Sequence, residues 1–221
     1  MTDRPLFADE TATRVSECGV IAVLVIDSAS DAVPLARALL AGGVAAMELT
    51  LRTPAAVDAI RAIAAEVPEM LVGAGTVLTA AQVDEVQSAG AAFAVSPGVN
   101  PRVLAAARDA GLSFAPGIVT PSDIEAALEF GCRLLKFFPA ESSGGLKHLK
   151  NIAAPYKHLG LRYIPLGGIN AANMGGYLGD PGVAAIGGSW LAEPAVVARG
   201  DWAGIREAAA HAVGLAKAAR R

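Results

Sequence analysis

The chain has 221 residues, of which 53% are hydrophobic and 18% are charged, and its formal net charge of −3 comes from acids and bases mixed along the sequence. This composition is sufficient for a sizeable core and excludes a basic nucleic-acid-binding protein. The chain has two cysteines, a polar N-terminal segment Met1–Glu10 and a longest apolar run of only Gly19–Ile26. These features predict a cytoplasmic protein with no disulfide framework and no membrane contact.

The first elements of the chain form a strand–helix unit behind a preliminary helix. That helix is expected over Phe7–Cys18, and the apolar run Val20–Ile26 follows it. A run that is rich in β-branched residues and does not alternate is typical of a strand buried on both faces, as in parallel sheets. A helix over Ala32–Ala41 then ends at Gly42, a common C-terminal signal.

The same unit repeats to the end of the chain. Further strands are expected at residues 45–49, 70–74, 92–95, 112–115, 134–138, 162–166 and 183–186, and further helices at 54–66, 80–89, 101–110, 121–130, 146–154, 171–178 and 201–218. Eight strand–helix units predict an α/β fold, a (β/α)₈ TIM barrel with an extra N-terminal helix, in one domain over residues 1–221. The alternative is an open doubly wound sheet, but no glycine-rich dinucleotide motif follows the first strand.

A single lysine interrupts an otherwise apolar strand. Lys136 lies in Leu134–Phe138, which Pro139 ends. An ammonium group among apolar neighbours loses hydration, which favours its neutral form, and a neutral amine can attack a ketone. The alternative is a lysine with a buried stem and a head in water, which is the more common arrangement. The strand alone leaves both interpretations open.

Glu48 is a second charged residue within an apolar strand. The two-residue period of a strand sets it on the face opposite Met47 and Leu49. A carboxylate inside a barrel needs a partner or a proton. Glu48 is therefore either half of a structural ion pair with Lys136 or Arg52, or a general acid/base beside an amine nucleophile.

Two residues that follow the second and third strands are candidates for binding an anion. The planar guanidinium of Arg52 matches a carboxylate or phosphate, although an exposed arginine more often pairs with a helix carboxylate. Thr76 follows the Gly73–Gly75 turn. Its hydroxyl either binds an oxyanion or caps the helix that begins near Ala80, and the residue by itself favours the cap.

Paired glycines are expected after the seventh and eighth strands. They are Gly167-Gly168 and Gly187-Gly188, the latter followed by Ser189. In (β/α)₈ barrels these two loops often form a phosphate site, because glycine allows the backbone N–H groups to approach the ligand. Two such pairs at matched loops favour phosphate binding.

Metal chemistry has little support in the sequence. The three histidines, His148, His158 and His211, do not pair at ligand spacing, and no cluster of histidines and carboxylates is evident. A metal-free, amine-based mechanism is the better expectation. Glu48 and Glu141 could in principle act as a carboxylate pair in hydrolysis, but their spacing does not require it.

Six segments in chain order carry a resemblance to a known family. They are Glu48–Thr53, Val72–Leu78, Ser96–Gly98, Lys136–Glu141, Gly167–Ile169 and Gly187–Leu191. With them the chain resembles the bacterial 2-keto-3-deoxy-6-phosphogluconate aldolases, also called KHG/KDPG aldolases, nearly end to end. The resemblance implies a class I aldolase on a (β/α)₈ barrel that forms a homotrimer and needs no cofactor beyond a covalent lysine imine.

The resemblance also implies a role for each matching residue. Lys136 forms the Schiff base and Glu48 is the general acid/base. The remaining roles are substrate carboxylate binding by Arg52 and Thr76, the pocket wall at Pro97 and Phe138, and phosphate binding at Gly167, Gly168, Gly188 and Ser189. The chain departs from the family pattern at Leu166, where threonine precedes the glycine pair in other members.

We therefore expect cleavage of 2-keto-3-deoxy-6-phosphogluconate to pyruvate and glyceraldehyde 3-phosphate, with the 2-keto acid and the aldehyde phosphate as the small-molecule partners. Two alternatives stay open. One is a lyase for an unphosphorylated 2-keto acid such as 4-hydroxy-2-ketoglutarate, which Leu166 favours and the glycine pairs disfavour. The other is a non-catalytic barrel that senses a sugar phosphate.

Overall fold

The computed structural model describes residues 5–220, so the segment Met1–Glu10 and the domain predicted over 1–221 lie partly outside the described residues. Parallel strands alternate with helices along this range. The strands are Val20–Leu24 (β1), Ala46–Thr50 (β2), Leu71–Gly75 (β3), Phe93–Val95 (β4), Ser113–Ala115 (β5), Gly117–Ile118 (β6), Leu134–Phe137 (β7), Arg162–Pro165 (β8) and Ile186–Gly188 (β9).

Most of the helices follow strands and cover the outer face of the sheet. They are Asp9–Cys18 (α1), Ala32–Ala41 (α2), Ala56–Glu66 (α3), Ala80–Ser88 (α4), Pro101–Ala110 (α5), Pro121–Leu128 (α6), Gly145–Ala153 (α7), Met174–Leu178 (α8), Pro194–Ala198 (α9) and Trp202–Ala219 (α10). None of the helices in the described range is long and apolar enough to cross a membrane.

The strands pair in parallel throughout. A six-stranded sheet has the order β5-β4-β3-β2-β1-β9, and a three-stranded sheet has the order β6-β7-β8. Only Pro116 separates β5 from β6, and an isolated parallel bridge joins Leu166 to Gly187 at the other side. The α/β fold with a curled parallel sheet that the sequence predicted is confirmed.

The last strand differs from the prediction. The sequence places it at residues 183–186, whereas the structure forms it at Ile186–Gly188, where Ile21 pairs with Gly187 and Ala22 pairs with Gly188. The prediction that both glycines lie in a loop after the strand is therefore wrong, because both belong to β9 and pair with β1. The short helix α9 was not predicted at all.

Alternation along the strands separates two hydrophobic clusters. In β1, Val20, Ala22 and Leu24 belong to the large cluster that the helices cover, whereas Ile21 belongs to a smaller cluster with Val15 of α1. The same alternation holds in the strands that carry charged residues. Strand residues on the face of the smaller cluster therefore point away from the helices that cover the outer face, toward the space that the curled sheet encloses.

The two charged strand residues share that inner face. In β2, Met47 and Leu49 pack in the large cluster while Ala46, two residues before Glu48, packs in the smaller one. In β7, Leu134 occupies the smaller cluster, so Lys136 has the same orientation. The fold thus directs both charges inward at the carboxyl ends of their strands.

Candidate active site

A cavity of about 340 Å³ lies at the carboxyl ends of the strands. Its lining includes nearly all of the residues that the sequence singled out, together with several others: Val23, Glu48, Thr50, Arg52, Thr76, Pro97, Lys136, Phe138, Leu166, Gly167, Gly168, Ile169, Gly187 and Ser189. Gly188 is not part of this lining, and a Cβ atom there would collide with the ring of Trp190. The structure therefore brings the candidates together around one space, with Gly188 behind it.

Lys136 and Glu48 form a buried ion pair at the base of this cavity. The distance from Lys136 Nζ to Glu48 Oε1 is 3.1 Å, and the two residues are only 5% and 2% exposed. The alternative of a lysine with its head in bulk water is therefore wrong. Lys136 Nζ also lies 5.2 Å from the ring centroid of Phe138, so an aromatic face forms one wall beside the amine.

Gly75 provides the space for the Glu48 carboxylate. The last residue of β3 lies beside β2, and a Cβ atom on Gly75 would occupy the position of Glu48 Oε1. Gly73, two residues earlier, makes room for the ring of Phe93 in the same way. The sequence indicated a glycine turn here, but the structure shows strand positions at which any side chain would displace the side chain of Phe93 or Glu48.

Arg52 is anchored through Thr50. The buried Thr50 hydroxyl donates to the carbonyl oxygen of Leu24 at 3.2 Å and accepts a hydrogen bond from Arg52 Nε at 3.0 Å. Glu48, Thr50 and Arg52 thus alternate along one face of the chain and all line the cavity. Among the described residues Arg52 forms no ion pair with a helix carboxylate, so that alternative is wrong. A guanidinium held through Nε keeps its Nη groups as donors for an anion.

Thr76 has an unusual backbone conformation at the cavity wall. Its φ of 61° lies in the left-handed region, which residues other than glycine rarely adopt. The cap of α4 is Thr79, which accepts from the backbone N–H of Gln82 while the Gln82 side chain accepts from Thr79. The expectation that Thr76 caps this helix is therefore wrong, and its side chain lines the cavity instead.

The opposite end of the cavity is formed mainly by backbone. Gly167 and Gly168 have φ values of 96° and 80°, a consecutive left-handed pair that favours glycine at both positions. Beside them, Leu166 packs near Val23, and a Cβ atom on Gly187 would collide with both side chains. Sequence analysis missed Val23 and Ile169 as lining residues, because each is one apolar residue among many.

The comparisons with known proteins agree with this geometry. The family model described as "KDPG and KHG aldolase" matches residues 11–208, most of the chain. The chain belongs to this aldolase family. The resemblance inferred from the six sequence segments is thereby confirmed.

Individual members of the aldolase family are similar over nearly the whole chain. The KHG/KDPG aldolase of Escherichia coli K12 is 48% identical over 90% of this chain and 92% of its own length. The KDPG aldolase of Legionella pneumophila, solved with pyruvate captured at low pH as a covalent carbinolamine intermediate, has a TM-score of 0.86, 38% identity and coverage of 90% and 96%. The 2-keto-3-deoxy-6-phosphogluconate aldolase of Zymomonas mobilis ZM4, solved with 3-phosphoglycerate, has a TM-score of 0.84, 39% identity and coverage of 92% and 95%.

Among the residues that the structure describes, Glu141 and the three histidines are not part of the cavity lining. Within residues 5–220, no group of three or more histidines, cysteines and carboxylates has metal-site geometry. His148 is half-buried, with Nε2 2.8 Å from the carbonyl oxygen of Val119 and its ring stacked on Phe137. Glu141 accepts a hydrogen bond from Tyr177 and does not line the cavity, which argues against a hydrolytic pair with Glu48.

Proposed function

We propose that the protein is a class I aldolase that cleaves 2-keto-3-deoxy-6-phosphogluconate to pyruvate and glyceraldehyde 3-phosphate. The observation that carries this proposal is the buried pair of Lys136 and Glu48, an amine and a carboxylate 3.1 Å apart on the wall of a cavity. A carboxylate at hydrogen-bond distance can take the proton that the ammonium must lose before it attacks a carbonyl.

The carboxylate end of the substrate is proposed to bind at Arg52 and Thr76. Arg52 is held by Thr50, so its donors are oriented before the substrate arrives, and Thr76 places a hydroxyl on the same wall. A 2-keto acid bound there by its carboxylate presents its C2 carbonyl to Lys136. Pro97 and Phe138 complete the wall around the reacting carbon atoms.

The chemistry follows from an amine beside an acid/base. Glu48 takes one proton from the Lys136 ammonium, Nζ attacks C2, and Glu48 returns that proton to the departing hydroxyl. Water leaves, and the protonated imine that remains withdraws electrons while Glu48 is again a carboxylate. Glu48 accepts the proton of the C4 hydroxyl, the C3–C4 bond breaks, and its electron pair forms an enamine of pyruvate as the aldehyde departs. Glu48 then returns the proton to C3, and hydrolysis of the imine releases pyruvate and the free lysine.

The phosphate of the substrate is proposed to bind at the glycine end of the cavity. Gly167, Gly168 and Ser189 line this end, and Gly188 supports it from the strand behind. Backbone N–H groups at positions without side chains allow close approach of an anion. The carbon chain of the substrate is thus proposed to extend along the cavity from the carboxylate end to the phosphate end, with its reacting atoms beside Lys136.

We extend the proposal to the whole molecule. A single domain with a closed (β/α)₈ barrel and an N-terminal helix is supported by the parallel pairing of β1 with β9, by the bridge from Leu166 to Gly187, and by Val15 of α1 in the inner cluster. The family resemblance supports a cytoplasmic homotrimer that acts without metal or cofactor. The 2-keto acid and the aldehyde phosphate are its proposed partners.

Borohydride reduction in the presence of pyruvate, followed by peptide mass mapping, tests the covalent step. The expected result is a pyruvate adduct on Lys136, together with release of pyruvate from 2-keto-3-deoxy-6-phosphogluconate in a separate assay. Glu48→Gln should still form the adduct on Lys136, although more slowly, and should lose about 10²-fold or more in turnover, because proton transfer is removed. A folded protein that gives neither adduct nor turnover but binds the sugar phosphate would instead be a sensor.

A second candidate function is cleavage of 4-hydroxy-2-ketoglutarate. The observation that favours it is the apolar surface that Val23, Leu166 and Ile169 form beside the glycine pair, since such a surface contributes no hydrogen bond to a phosphate. The two activities separate in a comparison of kcat/KM for the phosphorylated and unphosphorylated substrates. A higher kcat/KM for 4-hydroxy-2-ketoglutarate would establish the second function as the main one.

A further inference from the structure

The glycine pair at the end of the cavity rests on the side chain of Glu141. A Cβ atom on Gly168 would lie 2.7 Å from Glu141 Cβ and 2.8 Å from Glu141 Cγ, so the glycine packs directly on this side chain. The backbone N–H of Glu141 also donates to the carbonyl oxygen of Gly167 at 3.0 Å. The segment after β7 therefore packs against the loop that follows β8.

The Glu141 carboxylate is held by Tyr177. The buried phenol of Tyr177, on α8, donates a hydrogen bond to Glu141 Oε1. Burial and the neighbouring carboxylate both raise the pKa of Tyr177, so the phenol keeps its proton throughout the neutral range. A Cβ atom on Gly145, the first residue of α7, would lie 3.2 Å from Glu141 Oε1 and 3.3 Å from Tyr177 Oη, which shows how closely the three elements meet.

A second set of bonds fixes the other flank of the loop. The Asn173 side chain donates from Nδ2 to the carbonyl oxygen of Gly168 at 3.0 Å and accepts from the backbone N–H of Asn170 at 2.8 Å. These bonds do not involve Glu141 or Tyr177. A change at Tyr177 therefore leaves one flank of the loop intact and alters only the side on which the carboxylate lies.

We propose that Tyr177 and Glu141 are positioning residues that adapt the Gly167–Gly168 loop to a phosphorylated substrate, an inference that rests on the proposed function. Glu141 is an exposed acidic residue that packs directly against Gly168 of the loop. Without a partner, its carboxylate is free to rotate toward the bound phosphate and repel it. The hydrogen bond from Tyr177 holds the carboxylate beside α7, so that Glu141 continues to pack against Gly168.

The test is Tyr177→Phe, which removes only the hydroxyl. The KM for 2-keto-3-deoxy-6-phosphogluconate should rise roughly tenfold, as expected when a charge next to an anion site is released. The KM for 4-hydroxy-2-ketoglutarate and the rate of pyruvate trapping by borohydride should stay within about twofold of the parent, because neither reports on a phosphate. A merely structural role would change all three readouts together.

Tyr156→Phe is the matched control. Tyr156 also donates its hydroxyl to a glutamate, Glu125 Oε1, at 2.8 Å, but neither residue lines the cavity. This variant should leave both KM values unchanged. Adding Glu141→Gln to Tyr177→Phe removes the charge, so the double variant should recover most of the lost affinity for the phosphorylated substrate.

Three results would overturn the inference: an unchanged KM for the phosphorylated substrate in Tyr177→Phe, an equal rise for both substrates, or no recovery in the double variant. If Tyr177→Phe does not fold, Glu141→Gln alone gives the test. Its amide oxygen can still accept from Tyr177, so the KM should stay near that of the parent, and a tenfold rise would contradict the proposal. Failure of the proposed function is distinct, because the parent protein itself would then not cleave the phosphorylated substrate.

Discussion

The two ends of the cavity are constructed in different ways. At one end, Lys136 and Glu48 present charged side chains from strand positions that are otherwise apolar. At the other end, Gly167 and Gly168 present backbone in a left-handed conformation, which Glu141 and Tyr177 support from behind. One end therefore depends on the identity of side chains, and the other depends on the shape of a loop.

The two kinds of construction should respond differently to substitution when the kinetics are measured. A side chain that takes part in bond making affects the transition state, so its loss reduces kcat. A loop that holds a distant group contributes to binding, so its distortion raises KM. Three variants should separate these two kinds of effect, and Lys136→Met should have the largest.

Lys136→Met should have the largest effect, because it removes the amine and keeps the length of the side chain. We expect turnover to fall by at least about a thousandfold and the pyruvate adduct to disappear. The variant leaves Glu48 buried without its partner, which should reduce the free energy of unfolding by about 3–5 kcal/mol. Pyruvate release and urea denaturation measure the two effects, and turnover within tenfold of the parent would contradict the assigned role.

Gly75→Ala should show that the chemical end also depends on shape. The added methyl group requires the space of the Glu48 carboxylate, and a shift of about 1 Å in a catalytic group can reduce turnover about 10²-fold. We expect kcat to fall by this order while pyruvate trapping at Lys136 continues. Gly214→Ala is the control, since a Cβ atom there meets no other atom within 4 Å. Full activity of Gly75→Ala would show that Glu48 tolerates displacement.

Arg52→Lys should affect both substrates equally. Lysine retains the charge but loses the Nε bond to Thr50 and the planar fork that matches a carboxylate. We expect KM to rise roughly tenfold for phosphorylated and unphosphorylated 2-keto acids alike, because both carry the carboxylate. Steady-state kinetics with the two substrates measure this, and a rise for the phosphorylated substrate only would place Arg52 at the phosphate end instead.

Cys132 lies outside both ends of the cavity, so its prediction concerns stability and not kinetics. Burial raises the pKa of this thiol from about 9 to about 12. The unfolded chain therefore releases the proton first, so stability is full below pH 9 and decreases as the pH rises toward 12. The loss should reach about 2 kcal/mol at pH 10.5. Urea denaturation at pH 7 and 10.5 should show a smaller decrease for Cys132→Ala, and equal decreases would contradict the prediction.

The sequence predicted the side-chain end of the site better than the loop end. Lys136 and Glu48 could be recognised because a charge in an apolar strand is unusual, and strand alternation gave their orientation. The order of strands and helices could also be predicted, because hydrophobic periodicity and glycine residues at helix ends are local features of the sequence. The position of β9 was predicted incorrectly, because it depends on pairing with β1, which no local sequence pattern reveals.

The supporting residues could not be predicted for a related reason. Gly75 is one glycine among 24, and its importance arises only from the carboxylate that lies against it. Tyr177 is a tyrosine in a short helix 36 residues after Glu141, and nothing in the sequence connects them. Contacts between distant segments decide such roles, whereas a sequence motif shows only which residues are neighbours in the chain.

The alternation of Glu48, Thr50 and Arg52 along one face has a consequence for refolding experiments. A shift of β2 by one residue would turn Met47, Leu49 and Leu51 toward the cavity and remove all three functional groups at once. A register error therefore gives an inactive molecule and not a partly active one. The turnover measured per pyruvate adduct in a refolded preparation should consequently report the fraction of molecules whose β2 has formed in the correct register.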